Sequence, residues 1–521
     1  MPCPEHNAPR LWNACGLTVH NRELLVNRTA ASLTVNDPMP ILRLKQCLPI
    51  LTATALLCAA HSADAQHAAG AQAPVTTQNL NPQQQGALDI YRELLEINTT
   101  ASVGDTYEAA KAMAARLIAA GFPATDVQAF ESAPKRGNLV ARLRGTGKRK
   151  PILLVAHIDV VEAKRSDWTT DPFKLVEKDG YFYARGSGDD KYMAATWIAN
   201  LIRFKKEGYR PDRDIIVALE TDEEAGDAQG VGIGWIIAKH RDLIDAEFAL
   251  NEGGGVAVKD GKPLWNSLQT SEKVFQSFWL ETHNSGGHSS QPRKDNAIYE
   301  LAAGLERLAK FDFPVQLNET TRLYFERMSK IETGQVASDM QAILAPQPDE
   351  VAVARLSEQV PYNAQLRTTC VATRLEGGHA DNALPQVARA MINCRILPSQ
   401  PVEDVRNTLV RVLADDKITV TPDHPATPSP PSPLRPDLLK TIEKLTGKFW
   451  PGIPVMPIMS TGATDSLYLR NAGIPAYGHS GLAGDIFDVR AHGKDERVNV
   501  QAFFTGQEYL YELVKQLSGG R

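Results

Sequence analysis

The sequence predicts an α/β fold in which a mostly parallel sheet is flanked by helices and interrupted by a smaller α+β domain. Short apolar runs, among them PILLVAHIDVV and DIIVALET, alternate with helical stretches, as buried parallel strands do. From Val274 the order changes to strand, helix, two strands, helix and strand, which is typical of a ferredoxin-like unit. The remaining C-terminal segments then rejoin the first sheet.

Individual elements follow from hydrophobic spacing. The segments ALDIYRELLEI and YEAAKAMAARLIAA are predicted helices, because their apolar residues recur three and four positions apart. The main-sheet strands are PILLVAHIDVV, DIIVALET and AEFALNE, with the helix KYMAATWIANLIRFKKEG after the first. The inserted unit has the strands SFWLETH, LRTTCVAT, AMINCRIL and KITVTP and the helices AIYELAAGLERLAK and VEDVRNTLVRVLA, with a long insertion from about 311 to 362.

These elements predict a discontinuous first domain. Residues 82–270 and 426–521 form it, residues 271–425 form the inserted domain, and the Pro-rich TPDHPATPSPPSPLRP is the return linker. Such an arrangement brings His492 back to a site that begins near residue 157.

The N-terminal region predicts export. Residues 39–65 have the layout of a signal peptide, with Arg43 and Lys45 before an apolar stretch and Ala-Asp-Ala at its end. We therefore expect a periplasmic or secreted protein and no stable membrane span; a retained anchor is the alternative. Residues 1–38 are a spurious or disordered extension, with translation starting at Met39, and residues 66–81 are a linker.

The composition limits the classes of binding partner that we expect. A formal net charge of -5 and a pI near 6.2 give no electrostatic reason to expect nucleic acid or an anionic membrane, so we expect a small polar substrate. Outside the N-terminal region the cysteines are Cys370 and Cys394, each in a strand-like run. They form either a cross-strand disulfide or two small buried thiols.

Potential metal ligands fall at the ends of predicted strands or in adjoining loops; they are His157, Asp190, Glu224, Glu252 and His492. Five ligands can fill the shells of two ions only if one carboxylate and one water are shared, and we expect Asp190 to be the shared carboxylate. Glu223 is then the general base. Asp159, two residues along the strand from His157, is expected to orient the imidazole or Glu223.

Each of these residues also has an ordinary structural explanation. Asp189 and Asp190 precede a helix, so at least one of them suits an N-cap or the positive end of the helix dipole. Glu252 before three glycines fits a turn, and His492 fits an exposed loop. It is their order and mutual compatibility that favour a two-metal site.

The series AHIDVV, YARGSGDDK, TDEEAG, NEGG, GGHSSQP, GGHADNALP, STGATDS and AHGKDERV resembles the M20 family of zinc peptidases and aminoacylases over about residues 83–517. The resemblance implies a zinc-peptidase-like catalytic domain with two Zn²⁺, which Co²⁺ or Mn²⁺ could replace. It gives His157 and Glu252 to one ion, Glu224 and His492 to the other, and Asp190 to both.

The resemblance also gives roles to the inserted domain, which it implies is a lid and dimerisation domain. His288 would reach the site of the partner subunit in a homodimer and stabilise the oxyanion. Asn382 and Arg395 would hold the substrate oxygen and its free carboxylate, while Gly462 and Thr464 would line the carboxylate pocket.

The expected activity is hydrolysis of a peptide or N-acyl amino acid amide bond next to a free carboxylate. Within the resemblance, Glu at position 252 favours carboxypeptidases and acylases, whereas Asp there goes with aminopeptidases and dipeptidases. A dipeptidase or aminopeptidase with the same metals is the alternative. A catalytically inactive binding protein is disfavoured because no ligand and no base is missing.

Overall fold

A computed structural model describes residues 77–520. The predicted extension 1–38, the predicted signal peptide 39–65 and residues 66–76 of the predicted linker lie outside that range. The rest of the linker includes one 3-10 turn, Thr77–Asn79. No helix in the described range is both long and apolar enough to cross a membrane.

The described strands, in chain order, are β1 Val127–Ala133, β2 Arg136–Leu143, β3 Ile152–His157, β4 Val176–Lys178, β5 Tyr181–Tyr183, β6 Ile215–Glu220, β7 Phe248–Asn251, β8 Val256–Lys259, β9 Lys262–Glu272, β10 Val274–His283, β11 Gly287–His288, β12 Thr369–Gly377, β13 Ala383–Leu384, β14 Val387–Ile396, β15 Thr419–Pro422, β16 Val455–Ser460, β17 Ala476–Gly478, β18 Ala483–Asp485 and β19 Arg497–Asn499.

The described helices are α1 Pro82–Glu96, α2 Thr106–Ala119, α3 Lys191–Lys206, α4 Ile233–Lys239, α5 Arg241–Ile244, α6 Ala297–Ala309, α7 Glu319–Met328, α8 Gly334–Ala342, α9 Glu350–Ser357, α10 Val360–Leu366, α11 Val402–Leu413, α12 Pro436–Phe449, α13 Ser466–Asn471 and α14 Val500–Ser518.

The main sheet has the order β1-β2-β6-β3-β7-β17-β9-β8-β18, with β16 beside β9. Its central strands β6, β3, β7 and β17 are parallel, while β2 and β9 flank them in antiparallel fashion. The predicted α/β class with a largely parallel sheet is confirmed. Parallel central strands end at one edge of the sheet, and that edge carries the candidate site.

Both faces of the central strands are covered by helices. Along β3, Leu154 and Ala156 belong to the core beneath α1, α3 and α14, whereas Leu153 and Val155 face the smaller core of α4 and α13. Successive side chains on a strand point to opposite faces, so a run buried on both faces must be apolar throughout. This is why the strand could be found in the sequence.

The inserted unit is a four-stranded antiparallel sheet in the order β12-β14-β10-β15. Its helices α6 and α11 pack on each other and share one core with the strands. The chain order β10-α6-β12-β14-α11-β15 is the βαββαβ arrangement of the ferredoxin-like fold, as predicted. We call this unit the lid sheet; its predicted limits at 271 and 425 stay predictions.

The insertion between α6 and β12 is helical. Helices α7 to α10 form a separate apolar cluster with Met456 of β16, so this segment packs against the main sheet. Sequence spacing had predicted the insertion but not its helices.

Cys370 of β12 and Cys394 of β14 face each other across the lid sheet and form a disulfide, with their Cα atoms 4.1 Å apart. Of the two alternatives left open by the sequence, the structure has the cross-strand disulfide.

Candidate metal centre

The main sheet delivers the acidic and imidazole side chains from the ends of its parallel strands. His157 is the last residue of β3, and Glu252 follows the last residue of β7. Glu223 and Glu224 lie in the turn after β6, whose residue Glu220 pairs with His157. His492 comes from the loop before β19, with φ of 63° in the left-handed region. Residues separated by more than 300 positions therefore meet at one edge.

Asp189 lies between the two imidazoles. Its Oδ1 is 3.1 Å from His157 Nε2, and its Oδ2 is 3.1 Å from His492 Nε2. Glu224 completes one side, because its Oε1 is 2.8 Å from the same His492 nitrogen. One carboxylate that faces two imidazoles with different oxygens has the arrangement of a bridging ligand.

The sequence-based assignment of the shared carboxylate to Asp190 is therefore corrected to Asp189. Asp190 is the N-cap residue of α3; its side chain is buried and its Oδ2 has no hydrogen-bond partner. Burial raises the pKa of Asp190 well above the usual value. Asp189 faces the two imidazoles, whereas Asp190 lies at the start of α3.

On the other side of His157 lie Glu223 and Glu252. One ligand atom from each of these three residues lies within 4.8 Å of the other two, and a second such group contains His157, Asp189 and Glu224. With His492, which contacts Asp189 and Glu224, the two groups can supply ligands for two neighbouring ions.

Asp159 orients this edge. Its carboxylate accepts hydrogen bonds from the backbone N–H groups of Glu223 at 3.3 Å and Glu224 at 3.1 Å. Its backbone carbonyl oxygen lies 3.1 Å from His157 Nδ1 and can only accept, so Nδ1 donates to it and Nε2 faces Asp189. These contacts place Asp159 beside both His157 and the Glu223 turn, and its predicted supporting role stays a prediction.

The protonation of the histidines reflects the surrounding acids. Burial alone would lower the pKa of His157, but hydrogen bonds with Asp159 and Asp189 raise it well above its usual value. The hydrogen bond to Asp189, aided by the charge of Glu224, raises the pKa of His492 to about 9. Burial opposes ionisation of Asp189, yet its bonds to both histidines hold its pKa well below the usual range.

In the glutamates burial outweighs the charge of His157, which acts to lower their pKa values. Burial raises the pKa of Glu224 to about 7 and raises the pKa values of Glu223 and Glu252 well above normal, with added repulsion among the acids. Several buried acids at one edge, with only imidazoles for partners, favour occupation by cations. Oxygen and imidazole donors suit zinc and related divalent ions, so the residues present fit a two-metal centre.

The lid residues are not joined to this centre. The His288 ring bonds to Ser290 within its own exposed loop, and the backbone carbonyl of Asn382 accepts from Ser289 N. Arg395, on β14, lies over the ring of Phe275 at 4.7 Å. The contacts described for these three side chains include none of the metal-ligand candidates, so their predicted roles stay predictions.

Gly462 and Thr464 lie in the turn between β16 and α13. The Gly462 N–H donates to Ser460 Oγ, and Thr464 Oγ1 donates to Glu272 Oε2 at 2.8 Å, where the chain passes from the main sheet to the lid sheet. The turn is thus placed beside the crossing between the two sheets. A role in holding substrate carboxylate stays a prediction.

Two residues that the sequence analysis did not single out are Arg185 and Glu496. They form a buried ion pair, with 2.7 Å between Arg185 Nη1 and Glu496 Oε2. The available signal was charge: Arg185 precedes GSGDD, and Glu496 follows His492 in HGKDER. Charged residues are rarely fully buried unless they are paired, but nothing in a single sequence reveals the pairing.

Comparison with known proteins agrees with this geometry. The chain is 29% identical over 378 residues to the N-fatty-acyl-amino acid synthase/hydrolase PM20D1 of Homo sapiens, covering 70% of this chain and 74% of that protein. It is 25% identical over 458 residues to aminoacylase-1B of Rattus norvegicus, covering 83% and 95%. The M20 family metallo-carboxypeptidase Sso-CP2 from Sulfolobus solfataricus has the same fold, with a TM-score of 0.61 at 19% identity over 84% of this chain and 99% of that one.

The family assignment rests on a longer match than any single motif. The profile of peptidase family M20/M25/M40 matches residues 153–516, which include every candidate ligand described above. The YXEP protein of Bacillus subtilis, described as a dinuclear metal-binding peptidase of the M20 family, has a similar fold, with a TM-score of 0.50 at 12% identity over 83% of this chain and 97% of that one. The chain belongs to peptidase family M20/M25/M40.

Proposed function

We propose that this protein is a dizinc hydrolase that cleaves peptide or N-acyl amino acid amide bonds next to a free carboxylate. The observation that carries the proposal is Asp189, which faces His157 and His492 with separate oxygens while Glu223 lies in the adjoining ligand group. His157, Asp189 and Glu252 would hold one ion, and Asp189, Glu224 and His492 the other.

Two ions bound there would lower the pKa of a shared water toward neutrality and polarise the scissile carbonyl. Glu223 is the base. Burial raises its pKa, which favours uptake of a proton that Glu223 can then deliver to the leaving nitrogen. Asp159 holds the backbone of the Glu223 turn in place during both transfers.

Substrate recognition is assigned to the lid sheet and the neighbouring turn. Arg395 can hold a carboxylate with two parallel hydrogen bonds, and Asn382 would hold the substrate oxygen. The names of two relatives support amide substrates of amino acids, since one is an N-fatty-acyl-amino acid synthase/hydrolase and the other an aminoacylase. The match to a metallo-carboxypeptidase fold is compatible with peptides.

We also propose a homodimer formed through the lid sheet. Strand β12 is an edge strand, so one side of its backbone has no neighbour within the described residues. Val371 and Leu375 on that strand are 60% and 70% exposed. An open strand with exposed apolar side chains is suited to pairing with a second copy. His288, whose ring is anchored by Ser290, would then reach the site of the partner.

The proposal also includes export to an oxidising compartment and zinc as the bound metal. The signal layout of residues 39–65 and the disulfide between Cys370 and Cys394 both suit an oxidising compartment such as the periplasm. Co²⁺ and Mn²⁺ can also bind to a mixture of imidazole and carboxylate ligands, so metal analysis of the purified protein decides between the ions.

The direct test is Glu223→Ala. The variant is expected to keep two zinc ions and the wild-type fold while losing at least about 100-fold in kcat, because general-base catalysis contributes about 10²–10⁴-fold. Zinc content is measured by mass spectrometry beside turnover of N-acyl amino acids. Full turnover in the variant would contradict the proposal. Comparing N-blocked with free-amine dipeptides separates a carboxypeptidase or acylase from a dipeptidase or aminopeptidase.

A further inference from the structure

The loop that carries His492 has little regular structure of its own. His492 adopts a left-handed backbone conformation and its side chain is 56% exposed, whereas His157 ends a buried strand. A ligand on such a loop needs outside contacts to be held at a fixed distance from Asp189.

Arg185 provides these contacts to the loop. Its Nη2 donates to the backbone carbonyl oxygens of His492 at 3.3 Å and of Gly493 at 2.9 Å. Its Nη1 donates to Glu496 Oε2 at 2.7 Å, and its guanidinium lies 5.1 Å from the ring of Trp168. The planar fork of arginine is what allows one side chain to reach a carboxylate and two carbonyls together.

Glu496 provides the corresponding contacts to the turn of Asp189. Its Oε1 accepts from the N–H groups of Gly188 at 2.7 Å and Asp189 at 3.3 Å, and its Oε2 accepts from Gly186 N at 3.0 Å. The Glu496 side chain is almost fully buried. Arg185 and Glu496 thus join the backbone on both sides of the Asp189–His492 contact.

We propose that Arg185 and Glu496 are positioning residues that fix the His492 loop against Asp189 and so set the affinity of the second metal position, the one formed by Asp189, Glu224 and His492. The inference rests on the proposed two-metal function. The first metal position, formed by His157, Asp189 and Glu252, takes two of its ligands from the ends of buried strands and depends less on the pair.

Arg185→Lys is the informative variant. Lysine keeps a positive charge beside Glu496, but its donors share one compact nitrogen and lack the planar fork that spans the carboxylate and the two carbonyls. We expect the first zinc to bind with wild-type affinity and the second to bind about 10–100-fold more weakly, the usual cost of losing a partner that orients a ligand. Calorimetric titration of the metal-free protein, and the absorption spectrum during titration with Co²⁺, report the two steps without reference to turnover.

The matched control is Arg213→Lys. Arg213 is also buried and pairs with Glu247 at 2.8 Å, but it precedes β6 and so lies at the opposite end of that strand from the site. This variant is expected to bind two zinc ions as the wild type does, whatever its stability. His492→Ala gives the reference for loss of the second position, and adding Arg185→Lys to it should weaken zinc binding no further.

The outcomes separate the two proposals. A wild-type protein that binds fewer than two ions would overturn the proposed function. If the wild type binds two ions and Arg185→Lys binds both with unchanged affinity, or loses affinity equally at both steps, the positioning role is wrong.

Discussion

The main sheet and the lid sheet present their functional candidates in different ways. At the main-sheet edge the imidazoles and carboxylates contact one another, and most of them are buried or half-buried at the ends of strands. In the inserted unit His288 of β11 and Asn382, which precedes β13, are exposed, and the described contacts of His288, Asn382 and Arg395 stay within that unit.

The difference indicates that the two regions have separate roles. The candidate metal ligands are held in place by the core on which their strands pack, so their arrangement does not depend on substrate. In the proposed function, the lid groups would approach the reacting bond when a substrate or a second subunit brings them together. Substitutions at the main-sheet edge should therefore affect metal binding, whereas substitutions on the lid should affect catalysis and affinity with the metals retained.

The largest effect is expected from Asp189→Asn. The amide lacks the negative charge that both metal positions share. Loss of a residue that only orients a ligand usually weakens metal binding about 10–100-fold, and the loss of zinc affinity here should be larger. Asp190→Asn is the matched control one residue away: Asp190 begins α3 and belongs to neither ligand group, so zinc content should stay near wild type. Metal analysis after dialysis distinguishes the two, and the reverse pattern would return the bridging role to Asp190.

His288→Ala should lower kcat by about 10²–10³-fold, the usual cost of removing one oxyanion donor, while two zinc ions stay bound. If His288 acts in the partner's site, mixing this variant with Glu223→Ala under subunit exchange restores activity, because one site of the mixed dimer keeps both groups. Light scattering checks that a dimer is present. An active monomer, or a mixture without restored activity, counts against a role across subunits.

Arg395→Lys should raise KM for a substrate with a free carboxylate by about 10-fold or more, since each hydrogen bond to a charged group contributes about 1.5–3 kcal/mol. The same substrate with its carboxylate converted to an amide provides the control. Its KM should be high and equal in the wild type and the variant. Zinc content is expected to be unchanged. An unaltered KM for the free acid would remove Arg395 from the carboxylate site.

The last prediction concerns folding rather than turnover. His479, buried beside β17, bonds to Ser267 O and to the Tyr509 hydroxyl, each at 2.7 Å. Burial lowers the pKa of His479 to about 4. The unfolded chain takes up this proton near pH 6.5, so the contribution to stability is present above that pH and is lost as pH falls toward 4.

The contribution of His479 to the unfolding free energy is about 3 kcal/mol, and all of it is lost once the folded protein is also protonated. His479→Gln removes the titration, so the difference in unfolding free energy between wild type and variant should shrink between pH 7 and pH 4. Denaturant unfolding at both pH values checks this. A difference that does not change with pH would mean that the buried imidazole makes no contribution of this kind.

Sequence patterns predicted the parts of the fold that depend on burial. The strand that ends at His157 and the one before Glu252 are apolar up to their last residues because both faces are covered. Residue spacing could not show which of Asp189 and Asp190 is the shared ligand. The two aspartates are adjacent in the turn before a helix and differ only in the direction of their side chains. The ion pair of Arg185 and Glu496 was likewise beyond reach, because its partners are 311 residues apart.

The most direct test of the two-metal centre is a crystal structure of the zinc-loaded protein with anomalous scattering data collected at the zinc edge. We predict two peaks about 3.5–4 Å apart, one beside His157 and Glu252, the other beside Glu224 and His492, with Asp189 between them. A single peak, or two peaks joined by Asp190 instead of Asp189, would contradict the account.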